Sequence, residues 1–61
     1  MTTSEFVRKI KKHGCEFYKH DKKHDVYINP SNGKKTRIPR HAKKELGAGI
    51  TSSMLEDLGL K

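Results

Sequence analysis

In the stretch His24-Asp25-Val26-Tyr27-Ile28-Asn29-Pro30-Ser31-Asn32-Gly33-Lys34-Lys35-Thr36-Arg37-Ile38-Pro39, two runs with β-branched and aromatic side chains flank a Pro-Ser-Asn-Gly cluster. The cluster is a strong turn signal, so His24 to Asn29 and Lys35 to Ile38 read as the arms of a hairpin. Pro39 stops the second arm because it lacks the N–H that a continuing ladder needs. Upstream, Cys15 to His20 is rich in aromatic residues and too short for a helix of its own, so it reads as another strand, joined to His24 by the turn Asp21-Lys22-Lys23. Earlier still, Phe6, Val7 and Ile10 form one apolar stripe in Ser4 to His13, a short amphipathic helix that Gly14 ends. Thr3 or Ser4 is placed to cap it, and Glu5 suits the positive end of its dipole. Downstream, Arg40 to Gly49 is a polar connection with Leu46 as its anchor. Ile50, Met54, Leu55 and Leu58 then fall on one helical stripe closed by Gly59.

The order is α-β-β-β-α, an α+β fold: a three-stranded antiparallel meander with both helices on one face, since the sheet is the surface against which each apolar stripe can be buried. The other face is expected to stay open. His24, Val26 and Ile28 share one face of their strand. If Val26 and Ile28 point inward, His24 has to leave that face through the turn.

The chain has 61 residues, 14 Lys plus Arg against 7 Asp plus Glu, a formal net charge of +7, and 31% hydrophobic residues. We expect one domain over residues 1–61 with a thin core, which excludes a large enzyme with a deep cavity. No segment approaches the length of a membrane span or resembles a secretory signal, so a cytoplasmic protein is expected. A lone Cys15 allows no intramolecular disulfide, and no four-ligand zinc frame is present. No cofactor or metal is therefore expected. Thirteen of the 14 basic residues precede Leu46. Such a field attracts polyanions, RNA first among them, and an acidic protein equally well.

Chemistry rests on the histidines, because there is no glycine-rich phosphate loop and no helical histidine pair of zinc spacing. His13 suits the negative end of the first helix. His20 and His24 flank a lysine-rich turn; they are either plain exposed turn residues or, beside Lys22 and Lys23, imidazoles placed where an RNA phosphate would be drawn. His41 could support that site or merely be exposed. Cys15 with His20 and His24 matches no established metal-ligand spacing. Lys22, Lys23, Lys34, Lys35 and Arg37 form a basic set with few acids between them, either a solvated face or an RNA-binding one. Tyr18 and Tyr27 fit either base stacking or the core, and the core is the expectation for both.

Taken in order, Gly14, the basic turn into His24-x-x-Tyr27, Pro30, Ile38-Pro39-x-His41, Glu45-Leu46-x-x-Gly49 and Leu58-Gly59-Leu60 resemble the HicA toxin family over nearly the whole chain. These are small mRNA interferases of toxin–antitoxin systems. The resemblance implies a fold similar to a double-stranded-RNA-binding domain, cleavage of mRNA by one histidine at the head of the second strand, and neutralisation by a HicB-type antitoxin. His24 matches that histidine. The family usually carries Gly-Ser or Gly-Gly just before it, where this chain has Lys22-Lys23, and often Gly-Thr-apolar where this chain has Gly49-Ile50-Thr51. The expectation is a type II toxin acting as a metal-independent endoribonuclease. His24 would move the proton, Lys22, Lys23 and Arg37 would hold the phosphate, Lys34 and Lys35 would extend the RNA surface, and His20 or His41 would support. A non-catalytic RNA-binding module of the same fold is the alternative.

Overall fold

A computed structural model describes residues 1–41 and 43–61; Ala42, within the polar connection, lies outside the described residues. The element order is α1 (Thr3–Lys12), β1 (Glu16–Asp21), β2 (His24–Asn29), β3 (Lys34–Pro39) and α2 (Ala48–Asp57). The strands form an antiparallel sheet in the order β1-β2-β3, as the hairpin reading required. Among the described residues no helix is long and apolar enough to cross a membrane.

The start of α1 lies one residue earlier than the apolar pattern suggested. Thr2, rather than Thr3 or Ser4, is the N-cap, and its side chain accepts from the Glu5 amide while Glu5 accepts from the Thr2 amide. This reciprocal pair satisfies two amides that the helix cannot. The hydrogen bonds from Thr2 hold the Glu5 carboxyl below its usual range. Both helices end alike. His13 and Leu58 are the last cap residues, and Gly14 (φ 92°) and Gly59 (φ 72°) follow them in the left-handed region. The Gly14 amide donates to Lys11 and that of Cys15 to Ile10; the Gly59 amide donates to Glu56 and that of Leu60 to Leu55. Each set is a Schellman motif, which only glycine enters without strain.

The core joins Phe6 and Ile10 of α1, Cys15, Tyr27 of β2, Ile38 of β3, Leu46 of the connection, and Met54 and Leu58 of α2. Leu46 is held there because the connection is tied to the start of the chain: the Thr3 amide donates to Lys44 and the Leu46 amide to Met1. Tyr27 pairs with Thr36 and Asp25 with Ile38, so these residues share the face that the helices cover. Burial pushes the Tyr27 phenol up, and the charge of Asp25 adds to this. His24, Val26 and Ile28 therefore occupy the opposite face by strand alternation. The inward residue is Tyr27, which joins the core cluster, and His24 does not have to leave its face through the turn. Val26 is nevertheless buried. It lies among Lys19, Lys35 and Arg37 at the floor of a depression, where long basic stems cover apolar surface while their charges stay in water.

Two expectations about burial change. Ile50 does not join the α2 stripe; it is 53% exposed, because α2 leans on the sheet through its later turns at Met54 and Leu58. Tyr18 is 50% exposed rather than core. It is the extra residue of a β-bulge: Phe17 pairs with Tyr27 and Lys19 with Val26, leaving Tyr18 without an opposite number. Cys15 is buried in the core, where desolvation pushes its thiol up, so it is a packing residue. Asn29, read only as a strand end, is also buried. Its amide donates to the Leu58 carbonyl at 2.9 Å, as does that of Asn32 at 3.1 Å, so the β2–β3 turn closes the end of α2. Among the described residues every buried side-chain nitrogen and oxygen has a partner.

Candidate active site on the uncovered sheet face

Asp21 pairs with His24, so Lys22 and Lys23 form a two-residue turn between β1 and β2. That turn throws both lysines out beside the first residue of β2. Asp21, Lys22, Lys23, His24 and Arg37 line one cleft. Arg37 reaches it from β3, where it stands opposite Val26, and its Nε lies 3.0 Å from the Asp21 carboxylate. Asp21 thus holds the guanidinium over the cleft and neutralises part of its charge. Lys19, Val26, Lys35 and Arg37 line an adjoining depression that also includes Asp21, Thr36, and Met54 and Asp57 of α2. Across the two, five cations (Lys19, Lys22, Lys23, Lys35, Arg37) face two carboxylates, leaving a positive surface on the sheet face opposite Tyr27, with α2 along one border. On its other flank, His24 borders an apolar hollow lined by Pro39, Gly49, Ile50, Ser53 and Met54.

The remaining candidates separate. Lys34 pairs with Asn29 on the helix-covered face, with its stem near Gly59, and stands apart from the cleft. His20 lies on that same face, its Nδ1 2.6 Å from an Asp25 carboxylate oxygen and its ring edge-on to Phe17. It is not turned toward His24. His41 borders a depression with Lys22, Lys23 and Arg40, so of the two supporting histidines it is the one at the lysine turn. Arg40 was not singled out from the sequence. Its guanidinium donates to the Lys22 carbonyl at 3.3 Å and faces Asp25 at 3.6 Å, bracing the turn from below. Lys19 was missed as well. The signal for both was their place in the basic run, but which cations share a face depends on register and on the bulge, which composition does not carry. Among the described residues no three His, Cys, Asp or Glu side chains gather as a metal site.

Lys22 occupies the left-handed region at φ 53°. A side chain there costs about 1–2 kcal/mol, a cost glycine avoids. Lys22→Gly is therefore expected to stabilise the fold by up to about 1 kcal/mol, raising the melting temperature by roughly 4–8 °C. Where this face binds single-stranded RNA, as the sequence reading expects, the same change removes one cation, so binding should weaken and its log–log salt slope should fall by about 0.7. Thermal melts and salt titrations check the two effects separately; an unchanged melting temperature would show that the turn is unstrained.

Fold and site together define a class: a small basic α-β-β-β-α domain, compatible with the double-stranded-RNA-binding-domain fold, with a histidine and cations grouped on the sheet face opposite Tyr27. Within that class the assignment is specific. The family model described as HicA toxin of bacterial toxin–antitoxin matches residues 3–60, and the chain belongs to that family. It is 41% identical over 61 residues to a protein named probable mRNA interferase HicA from Pseudomonas fluorescens (strain Pf0-1), covering 100% of this chain and 98% of the relative. It is 36% identical over 61 residues to probable mRNA interferase HicA 2 from Photorhabdus laumondii subsp. laumondii, covering 100% of both. No solved structure gives a significant match.

Proposed function

We propose that this chain is the toxin of a type II toxin–antitoxin pair and that it cleaves mRNA without a metal ion, using His24 as its proton-transferring group. The observation that carries the reading is the single cleft shared by His24, Lys22, Lys23 and Arg37. Family membership and the names of the two relatives support it.

The chemistry needs little machinery. The ribose 2′-oxygen forms a bond to phosphorus and gives up its proton; the bond from phosphorus to the 5′-oxygen breaks, and that oxygen gains a proton. The products are a 2′,3′-cyclic phosphate and a 5′-hydroxyl. Imidazole exchanges protons near neutral pH, so His24 serves one of the two transfers, and the cations stabilise charge that builds on the phosphate oxygens. His41 or a turn lysine, both at the same end of β2, serves the other transfer. The same positive cleft suits an acidic HicB-type antitoxin, which would inhibit by covering His24 and its lysines, with opposite charge speeding encounter.

The test is incubation of purified protein with RNA in excess EDTA. Cleavage should proceed at the rate seen without chelator, leave 5′-hydroxyl ends, and stop at a site whose 2′-hydroxyl is replaced by hydrogen. Activity restored only by divalent metal would overturn the mechanism. RNA that is bound but never cut would favour the non-catalytic module.

A further inference from the structure

We propose that Tyr18 is a stacking subsite for a nucleobase of single-stranded RNA, placed a few nucleotides along the strand from the bond cut at His24. This rests on the ribonuclease reading above and extends it to how the substrate strand is held. The bulge gives Tyr18 no opposite residue on β2 and leaves it half exposed, so packing does not account for the ring. The ring lies against Lys35, whose Nζ is 5.1 Å from its centroid. Lys35 stands opposite Ile28, and so on the same sheet face as His24, Val26 and Arg37. The bulge has therefore brought an aromatic ring to the face that carries the catalytic candidate.

Between ring and histidine the surface is basic. Lys35 and Arg37 succeed each other on that face of β3, Lys19 stands on β1, and Pro39 at the end of β3 pairs with His24. From Lys35 to Pro39 is four residues, about 13 Å at roughly 3.3 Å each. That length holds at most about four stacked nucleotides at about 3.4 Å each, and fewer if the strand is extended. A phosphodiester following Lys35 and Arg37 toward His24 would therefore leave a base over Tyr18. An aromatic platform at one end of a cationic track is how single strands are commonly held, because every base has a π-face and every linkage a charge.

The chain has no tryptophan, so Tyr18→Trp introduces a unique fluorophore at the subsite. In a His24→Ala background, which leaves substrate uncut, an eight-nucleotide oligoadenylate should quench that fluorescence saturably, in parallel with its binding measured by anisotropy of the labelled RNA. In the same background Tyr18→Ala should weaken oligoadenylate binding roughly 5- to 150-fold, and Tyr18→Phe should keep affinity within about twofold. Oligoadenylate that binds fully without quenching, or that binds the Tyr18→Ala protein as tightly as its parent, overturns the subsite alone. RNA that fails to bind the Tyr18-intact protein even at low salt overturns the ribonuclease reading, and the subsite with it.

Discussion

His24→Ala is expected to lower RNA cleavage by about 10²- to 10⁴-fold, the usual contribution of a positioned acid or base, while changing RNA affinity no more than a few-fold. The separation follows from the site. On the proposed reading, the RNA is held by Lys19, Lys22, Lys23, Lys35 and Arg37 together with Tyr18, while His24 sits at a strand end that is only partly buried. Removing the ring should leave the fold intact. In cells, expression of the parent protein should arrest growth and expression of the variant should not. The paired measurements are single-turnover cleavage and equilibrium binding to the same RNA. Arrest by the variant, or loss of binding equal to loss of cleavage, would remove His24 from the proton-transfer role.

Phe6→Ala is the other large effect expected, acting on stability. Phe6 is fully buried where α1 meets the common core, and losing a buried phenylalanine costs about 3–5 kcal/mol in transfer energy and cavity formation. A chain of 61 residues has only about 3–9 kcal/mol to lose at roughly 0.05–0.15 kcal/mol per residue. With no disulfide to restrain the unfolded state, the variant should show a shallow or absent thermal transition, whereas Phe6→Leu should retain a cooperative one. A variant that melts within a few degrees of the parent would mean that α1 contributes little to the core.

The element order was legible because its signals are local. Gly14 and Gly59 close helices through left-handed residues, Pro30 to Gly33 forms a turn, and each lies where the sequence places it. The β2 boundaries, His24 and Asn29, agree to the residue. What the sequence hid depends on tertiary choice. Which face of β2 turns inward is settled by Tyr27 meeting both helices, not by the alternation of Val26 and Ile28. Ile50 lies on the right helical stripe yet is exposed, since the tilt of a helix is absent from its periodicity. In the candidate site, the company of His24 was partly visible: Lys22 and Lys23 adjoin it in sequence, but Arg37 joins it, and Lys34 does not, through pairing register. Arg40 and Asp25 meet beneath the turn only because β2 and β3 are neighbours.

The two ends of α2 are held very differently. At its last turn, the Leu58 carbonyl accepts from both Asn29 and Asn32, the Leu58 side chain is fully buried, and a methyl group on Gly59 would collide with Asn32. At its first turn, Gly47 offers no side-chain cap, no acid complements the dipole, and Ala48, Gly49 and Ile50 are exposed. The helix is thus a cantilever, clamped at the β2–β3 turn and lightly held at the tip that borders His24. Substitutions at the exposed first turn therefore act on the hollow beside the histidine, whereas substitutions around Leu58 act on the core.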